Sequence, residues 1–188
     1  MRGQRFLDRV AQADPLTVTV LASSKFPMSH DPIKNVTEFH EVFNCPIGTT
    51  PSVPDDRHEL PLRQVHGHLV DLRALLRQYS KDSVRCQRAA LLIEEVAEQV
   101  KALADRDIKG VLDAASDIEY INVGTVITCG LQDVFYESSR RVHESNMSKT
   151  DENGKAIYDA SGKVMKGPNY KPVDLTDLVD GTWLEAQK

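Results

Sequence analysis

Two runs of carboxylates carry the clearest chemistry in this chain. In LLIEEVAEQV, Glu94 and Glu98 are four residues apart, and Glu95 and Glu98 are three apart. Either spacing puts two acids on neighbouring positions of one helix face. In VLDAASDIEY, Asp113 and Asp117 repeat the four-residue step. On consecutive antiparallel helices, these carboxylates would converge and repel one another unless cations sat among them. Such hard oxygen ligands select Mg²⁺ or Mn²⁺.

The surroundings sharpen this reading. Leu91, Leu92, Ile93, Val96 and Val100 flank the glutamates, while Ala114, Ala115, Ile118 and Val123 flank the aspartates. Charges among so many apolar residues are costly to desolvate unless paired or metal-bound. The alternative is a solvated helix face with fortuitous spacing. That alternative suffices for one EExxE, and the second acidic pair weighs against it.

The acids need helices to position them. Ser83–Ala104 has neither proline nor glycine and is rich in Ala, Leu, Glu and Gln, which predicts a helix. Asp107 can cap a second helix from Ile108 to about Cys129. A further helix is expected from Leu131 to about Glu144. Ahead of the acids, Pro32–Phe43 reads as a short amphipathic helix. Cys45–Pro61 is a proline-rich loop. Leu62–Tyr79 is a helix whose apolar stripe is Val65, Leu69, Leu72, Leu76 and Tyr79, with Arg63, Arg73 and Arg77 to one side. After Asn146, GKAIYDASGKVMKG predicts two short strands around an Asp159–Gly162 turn. A short helix is expected near the C-terminus. The fold class is therefore all-α, a helical bundle with a small C-terminal β-hairpin appendage.

Composition fits an ordinary soluble domain: 188 residues, 27% charged and 40% hydrophobic. The net charge of -5 argues against nucleic-acid binding, which needs a basic face. It leaves polyphosphate substrates open if divalent ions reverse the local sign. No apolar run is long enough for a membrane span, so no membrane partner is expected. Cys45, Cys86 and Cys129 show no metal or disulfide spacing and read as free thiols in a reducing, cytoplasmic setting. Cys129 is expected inside an apolar helix. Residues 1–27, with Arg2, Arg5 and Arg9 before a short apolar stretch, read as an extension outside the functional core.

Taken in order, RAALLIEEVAE, LDAASDIEYINVGT, RRVHESNMSK and GKVMKGPNYKPVDL resemble the MazG-like, all-α nucleoside triphosphate pyrophosphohydrolase superfamily. More narrowly, they are similar to phage and bacterial members with an SNMSK segment and a lysine-rich tail. The resemblance runs roughly from Val36 to Leu175. It implies hydrolysis of a nucleoside triphosphate to the monophosphate and pyrophosphate, in the cytoplasm of a bacterium or a phage-infected bacterium. Two or three divalent ions would bridge the phosphate oxygens and lower the pKa of a bound water. The resemblance makes Glu95, Glu98 and Asp117 the best-matched ligands, with Glu94 a further ligand or the base that orients the water. Ala114 stands where the superfamily has a glutamate, and Asp113 is expected to supply the missing carboxylate.

The second half of the resemblance makes Lys149, Lys166 and Tyr170 phosphate contacts, with Lys163 and Asn146 as further substrate-binding candidates. An exposed basic loop is the alternative for the lysines. The expected organisation is an all-α domain over residues 28–150 and a substrate-covering hairpin and tail over 151–188. Residues 57–82 are an expected insertion relative to compact members. The favoured substrates are dGTP or dATP, with dUTP and phosphoribosyl-ATP as alternatives, and a homodimer or homotetramer is expected. The non-enzymatic alternative is a dimeric helical bundle. Asp151–Gly154 bears a faint likeness to a calcium loop but lacks its later ligands. The His66–His68 pair and His40 read as helix-surface and core residues.

Overall fold

The computed structural model describes residues 31–55 and 59–187. The expected extension over 1–27 lies outside them. Seven helices are described: α1 (Pro32–Val42), α2 (Glu59–Arg77), α3 (Val84–Asp105), α4 (Ile108–Thr128), α5 (Phe135–Met147), α6 (Thr176–Asp180) and α7 (Thr182–Ala186). They form an all-α fold, as the sequence pattern requires.

Helix starts follow their caps. Asp31 accepts from the Lys34 N–H at 3.0 Å, with Pro32 in the first turn where its missing donor costs nothing. Ser83 accepts from the Cys86 N–H at 3.2 Å, and Asp107 accepts from Lys109 and Gly110, both at 3.1 Å. Arg106 breaks α3 from α4 by adopting a left-handed φ of 58°. The resulting two-residue connection turns α4 back against α3.

α2 packs on α3, and α3 on α4. The α3 side of this core is small: Ala90, Ala97, Ala102 and Ala104 are buried, as is Ala114 of α4. Small residues let the helix axes approach closely. Arg63 pairs with Asp105 at 2.9 Å at one end of α2, and Arg77 with Glu94 at 2.8 Å at the other, which makes α2 antiparallel to α3. The expected stripe on α2 needs correction. Leu69 and Leu76 turn inward with Leu62, His66 and Arg73, whereas Val65, Leu72 and Tyr79 are exposed.

α1 packs on α5. Phe43, just past α1, is fully buried, and its ring stacks on Phe39 with centroids 4.3 Å apart. The expected two strands reduce to isolated antiparallel bridges, Thr150 with Ala156 and Tyr158 with Val164. Tandem Asp-x-x-Gly-Lys turns explain this. The Asp151 carboxylate accepts from the Asn153 and Lys155 N–H groups at 2.8 and 2.7 Å. Asp159 does the same for Ser161 and Lys163 at 2.8 and 3.0 Å. Gly154 and Gly162 supply the positive φ of each turn. Asp151 is thus occupied by its own turn, and no calcium-loop role is needed for it. Cys129 lies just past α4 and is exposed, not packed in a helix interior.

Candidate metal and polyphosphate site

The register of α3 against α4 is set at two close approaches. The Arg88 guanidinium crosses Gly124, donating to the Ile121 carbonyl and to Thr125 Oγ1 at 3.2 Å. A Cβ at Gly124 would come within 2.6 Å of Arg88 Nη2. Toward the other end, a Cβ at Gly110 would stand 3.0 Å from the Ala102 Cβ. Each approach lies seven residues from Glu95 on α3 and seven from Asp117 on α4. In an antiparallel pair this places Glu95 and Asp117 at the same level, midway between the two fixed points.

Electrostatics agree with that placement. The Glu95 carboxyl is raised above its ordinary value, first by burial and then by the charges of Glu98, Asp117 and Glu94, with Arg73 opposing. Three of the other four expected acids therefore act on Glu95. Asp113 is exposed and sits one turn earlier on α4.

The acids differ in their partners. Glu94 is engaged by two arginines of α2: Arg73 on Oε1 and Arg77 on Oε2. Glu95, Glu98, Asp113 and Asp117 form no ion pair among the described residues. Hard oxygen donors, one sheltered and mutually repelling with its neighbours, fit a divalent ion in chemistry. Among the described residues, no three acidic, imidazole or thiol groups stand close enough to hold an ion as they are, so ligation would need the carboxylates to draw together.

The expected basic contacts assemble at the end of α5. Ser145 is buried and donates to the Lys171 carbonyl at 2.8 Å, while Lys171 N–H donates to Ser148 Oγ at 2.8 Å. This stitching lays the 167–171 strand of chain along the helix end. Gly167 is obligatory there, because a Cβ would collide with the Thr150 carbonyl oxygen. Lys166 Nζ stands 4.5 Å from the centre of the Tyr170 ring. The Ser145 hydroxyl, then the Lys166 and Lys149 charges, lower the Tyr170 phenol below its ordinary value. Lys149, Lys166 and Tyr170 therefore form one cationic group. Lys163 does not join it: it is exposed in the second Asp-x-x-Gly-Lys turn, where its charge acts on Asp159.

Asn146 lies on the other side of the same helix end. It lines an open cleft of about 390 Å³ between α1 and α5, with Asn35, Val36, Phe39, Val142 and His143. His143 pairs with Glu38 at 3.2 Å. His40 donates from Nδ1 to the Pro46 carbonyl at 2.9 Å and so holds the loop after α1. The tail is also fastened by Tyr158 donating to the Phe43 carbonyl and by Arg141 gripping Asp177 at 2.6 and 2.8 Å.

Sequence reasoning missed Arg73, Arg77, Arg88, Ser145 and Thr150. A signal existed for the first two, since they share a face with inward-turned Leu69 and Leu76. Arg88 and Ser145 gave none, because their partners lie 26 to 37 residues along the chain.

Residues 75–146 match the phosphoribosyl-ATP pyrophosphohydrolase family. The match takes in the whole of both acidic runs. It leaves out nearly all of α2 and the Lys149, Lys166 and Tyr170 group, and spans under half the chain. No curated protein matches the chain. One solved structure is similar, a protein from Exiguobacterium sp. 255-15 described as a "putative NTP pyrophosphohydrolase". It shares 20% identity with a TM-score of 0.47, over 82% of this chain and 95% of that one.

Proposed function

We propose that this chain is a divalent-metal-dependent nucleoside triphosphate pyrophosphohydrolase, acting on the anhydride between the α- and β-phosphates. The observation that supports the reading is the repulsion of Glu95 by Glu98 and Asp117, three carboxylates with no ion pair among the described residues, inside the segment that matches a pyrophosphohydrolase family. Mg²⁺ or Mn²⁺ would supply charge neutralisation on the triphosphate and an acidified water. Glu95, Glu98 and Asp117 are its ligands, with Asp113, one turn before Asp117 on α4, as a fourth carboxylate. Glu94 and Glu95 are the candidates for orienting the attacking water, and Glu95 is the freer of the two. Lys149 and Lys166 bind phosphate oxygens, and Tyr170 donates its phenol proton to one of them. Asn146 contacts the nucleoside side of the substrate from the cleft beside it, and Lys163 steers the polyanion at longer range.

The favoured substrates are dGTP or dATP, on the resemblance of the SNMSK segment and lysine-rich tail to enzymes acting on deoxypurine triphosphates; dUTP is the alternative. Phosphoribosyl-ATP is a second reading, which the family matched over 75–146 favours by its description. The protein works as a homodimer or homotetramer, for which the apolar row Leu112, Tyr120, Val123 and Ile127 exposed along α4 provides a surface. The three free cysteines suit a reducing cytoplasm. No described helix is long and apolar enough to cross a membrane.

The deciding experiment incubates the protein with Mg²⁺ and each common nucleoside triphosphate, and separately with phosphoribosyl-ATP, followed by chromatography. Monophosphate plus pyrophosphate supports the reading for whichever substrate yields them. Nucleoside diphosphate plus phosphate, or no turnover of any substrate, overturns it.

A further inference from the structure

Glu94 is set apart within the acidic group by its partners. Arg73 takes one carboxylate oxygen and Arg77 the other, the latter at 2.8 Å. The Glu94 side chain keeps 18% of its exposure and that of Arg73 30%, so the contact is sheltered from water. Arg73 Nε is buried without a hydrogen-bond partner. The Arg73 guanidinium thus bonds Glu94 through Nη2 while its Nε stays buried and unbonded. Both arginines come from α2, whose packing partner is α3. Two guanidinium groups bring two positive charges to one carboxylate, the charge a divalent ion would bring. An ion approaching Glu94 would have to displace both and then sit beside them.

We infer that Arg73 and Arg77 occupy the cation position at Glu94, so that divalent metal binds on the Glu95, Glu98 and Asp117 side alone. Glu94 then anchors α2 against α3, and the arginines act as positioning residues that decide which carboxylates are left for metal. This rests on the metal-dependent reading above. It also gives α2 a part in the site, because α2 fixes the number of ions the acidic face accepts. Arginine suits that part, because a guanidinium keeps its charge at any physiological pH.

The test is Mn²⁺ binding to the full chain, by calorimetry for affinity and by electron paramagnetic resonance for the number of ions. Glu94→Gln is expected to bind the same number of ions as wild type, with Kd unchanged to within about threefold, the scale of a surface ion pair. Glu98→Gln is expected to weaken binding by about tenfold or more. The Arg73→Ala/Arg77→Ala double variant is expected to bind an additional Mn²⁺, since Glu94 is released. Should that variant fail to fold, Glu94→Gln decides alone. Loss of Mn²⁺ from Glu94→Gln to the same degree as from Glu98→Gln overturns this inference and leaves the enzymatic reading standing. A wild-type chain that binds no Mn²⁺ overturns both.

Discussion

Arg88 reaches across Gly124 to bond two groups of the neighbouring helix, the Ile121 carbonyl and the Thr125 hydroxyl. This contact, two turns from Glu95, is one of the two points that fix where the acids of α3 meet those of α4.

Alanine at the two contact glycines separates what each does. At Gly124 the obstacle is the far end of an arginine, which can swing away. Gly124→Ala should lose about one hydrogen bond and regain about 1 kcal/mol of helix propensity, for a net change within about 1 kcal/mol. At Gly110 the obstacles are the Ala102 Cβ and the capping Asp107 carboxylate. Gly110→Ala should cost about 1–3 kcal/mol by forcing α3 and α4 apart. Urea unfolding checks both, and equal costs would mean that the helices are not in van der Waals contact at Gly110.

Removal of a ligand charge with little change in volume should stop catalysis and spare the fold. Glu95→Gln, Glu98→Gln and Asp117→Asn are each expected to abolish pyrophosphate release while the far-ultraviolet dichroism stays helical. A wild-type rate in any one of them refutes its assignment as a ligand.

The raised Glu95 carboxyl has a consequence for metal-free stability. A carboxyl that holds its proton more tightly when folded favours the folded state at low pH. That advantage is lost as pH rises from its ordinary value of 4.5 through its higher folded value. Glu137, Asp105 and Asp177, which are lowered by arginine and lysine partners, act in the opposite sense. The comparison is therefore between wild type and Glu95→Gln in chelator. The stability difference should move in favour of Glu95→Gln as pH rises above 4.5, and Mg²⁺ should reverse the trend for wild type. Parallel melting curves across pH would show that Glu95 is not under that strain.

The strap that carries Lys166 and Tyr170 is vulnerable at Gly167. Gly167→Ala should lift it from Thr150 and raise KM, with the helical melting transition little altered. Lys166→Ala should weaken substrate binding by about 1.5–3 kcal/mol, roughly ten- to a hundredfold in KM, as for loss of a charge-assisted hydrogen bond. Unaltered kinetics in both would reduce the basic group to surface.

Truncation from Asp151 onward tests the tail as a whole. It should raise KM strongly and lower turnover. The tail also holds Phe43 through Tyr158 and α5 through Asp177. The α1–α5 pair should therefore loosen, while α2, α3 and α4 stay folded. Hydrogen exchange distinguishes the two regions, and uniform loss of protection would mean that the tail supports the entire bundle.

Much of this architecture was legible from local pattern. α3 announced itself by a run free of proline and glycine and rich in helix formers, and α4 by its Asp107 cap, and the acids on them followed. The inward face of α2 was misread because apolar residues lie on both sides of that helix. A row ending in Leu72 and Tyr79 fits the spacing as well as the row containing Arg73. The arginines at Glu94 were not legible, since an ion pair across 17 to 21 residues depends on how two helices lie together. The strands shrank to bridges because two aspartates spend their carboxylates on turns of their own. Those bonds are local in sequence, and their repeated Asp-x-x-Gly-Lys spelling was available to be read.

The seven-residue intervals on either side of Glu95 and Asp117 make the acidic site a matter of counting. A substitution between Arg88 and Ala102 changes one surface, but a single inserted or deleted residue rotates everything beyond it by about 100° around the helix. Either Glu95 leaves the level of Asp117, or Ala102 no longer faces Gly110. The stretch from Arg88 to Gly124 is thus closed to length variation except at the Arg106–Asp107 corner, which is the one place where an extra residue can loop out without turning a carboxylate away from its neighbours.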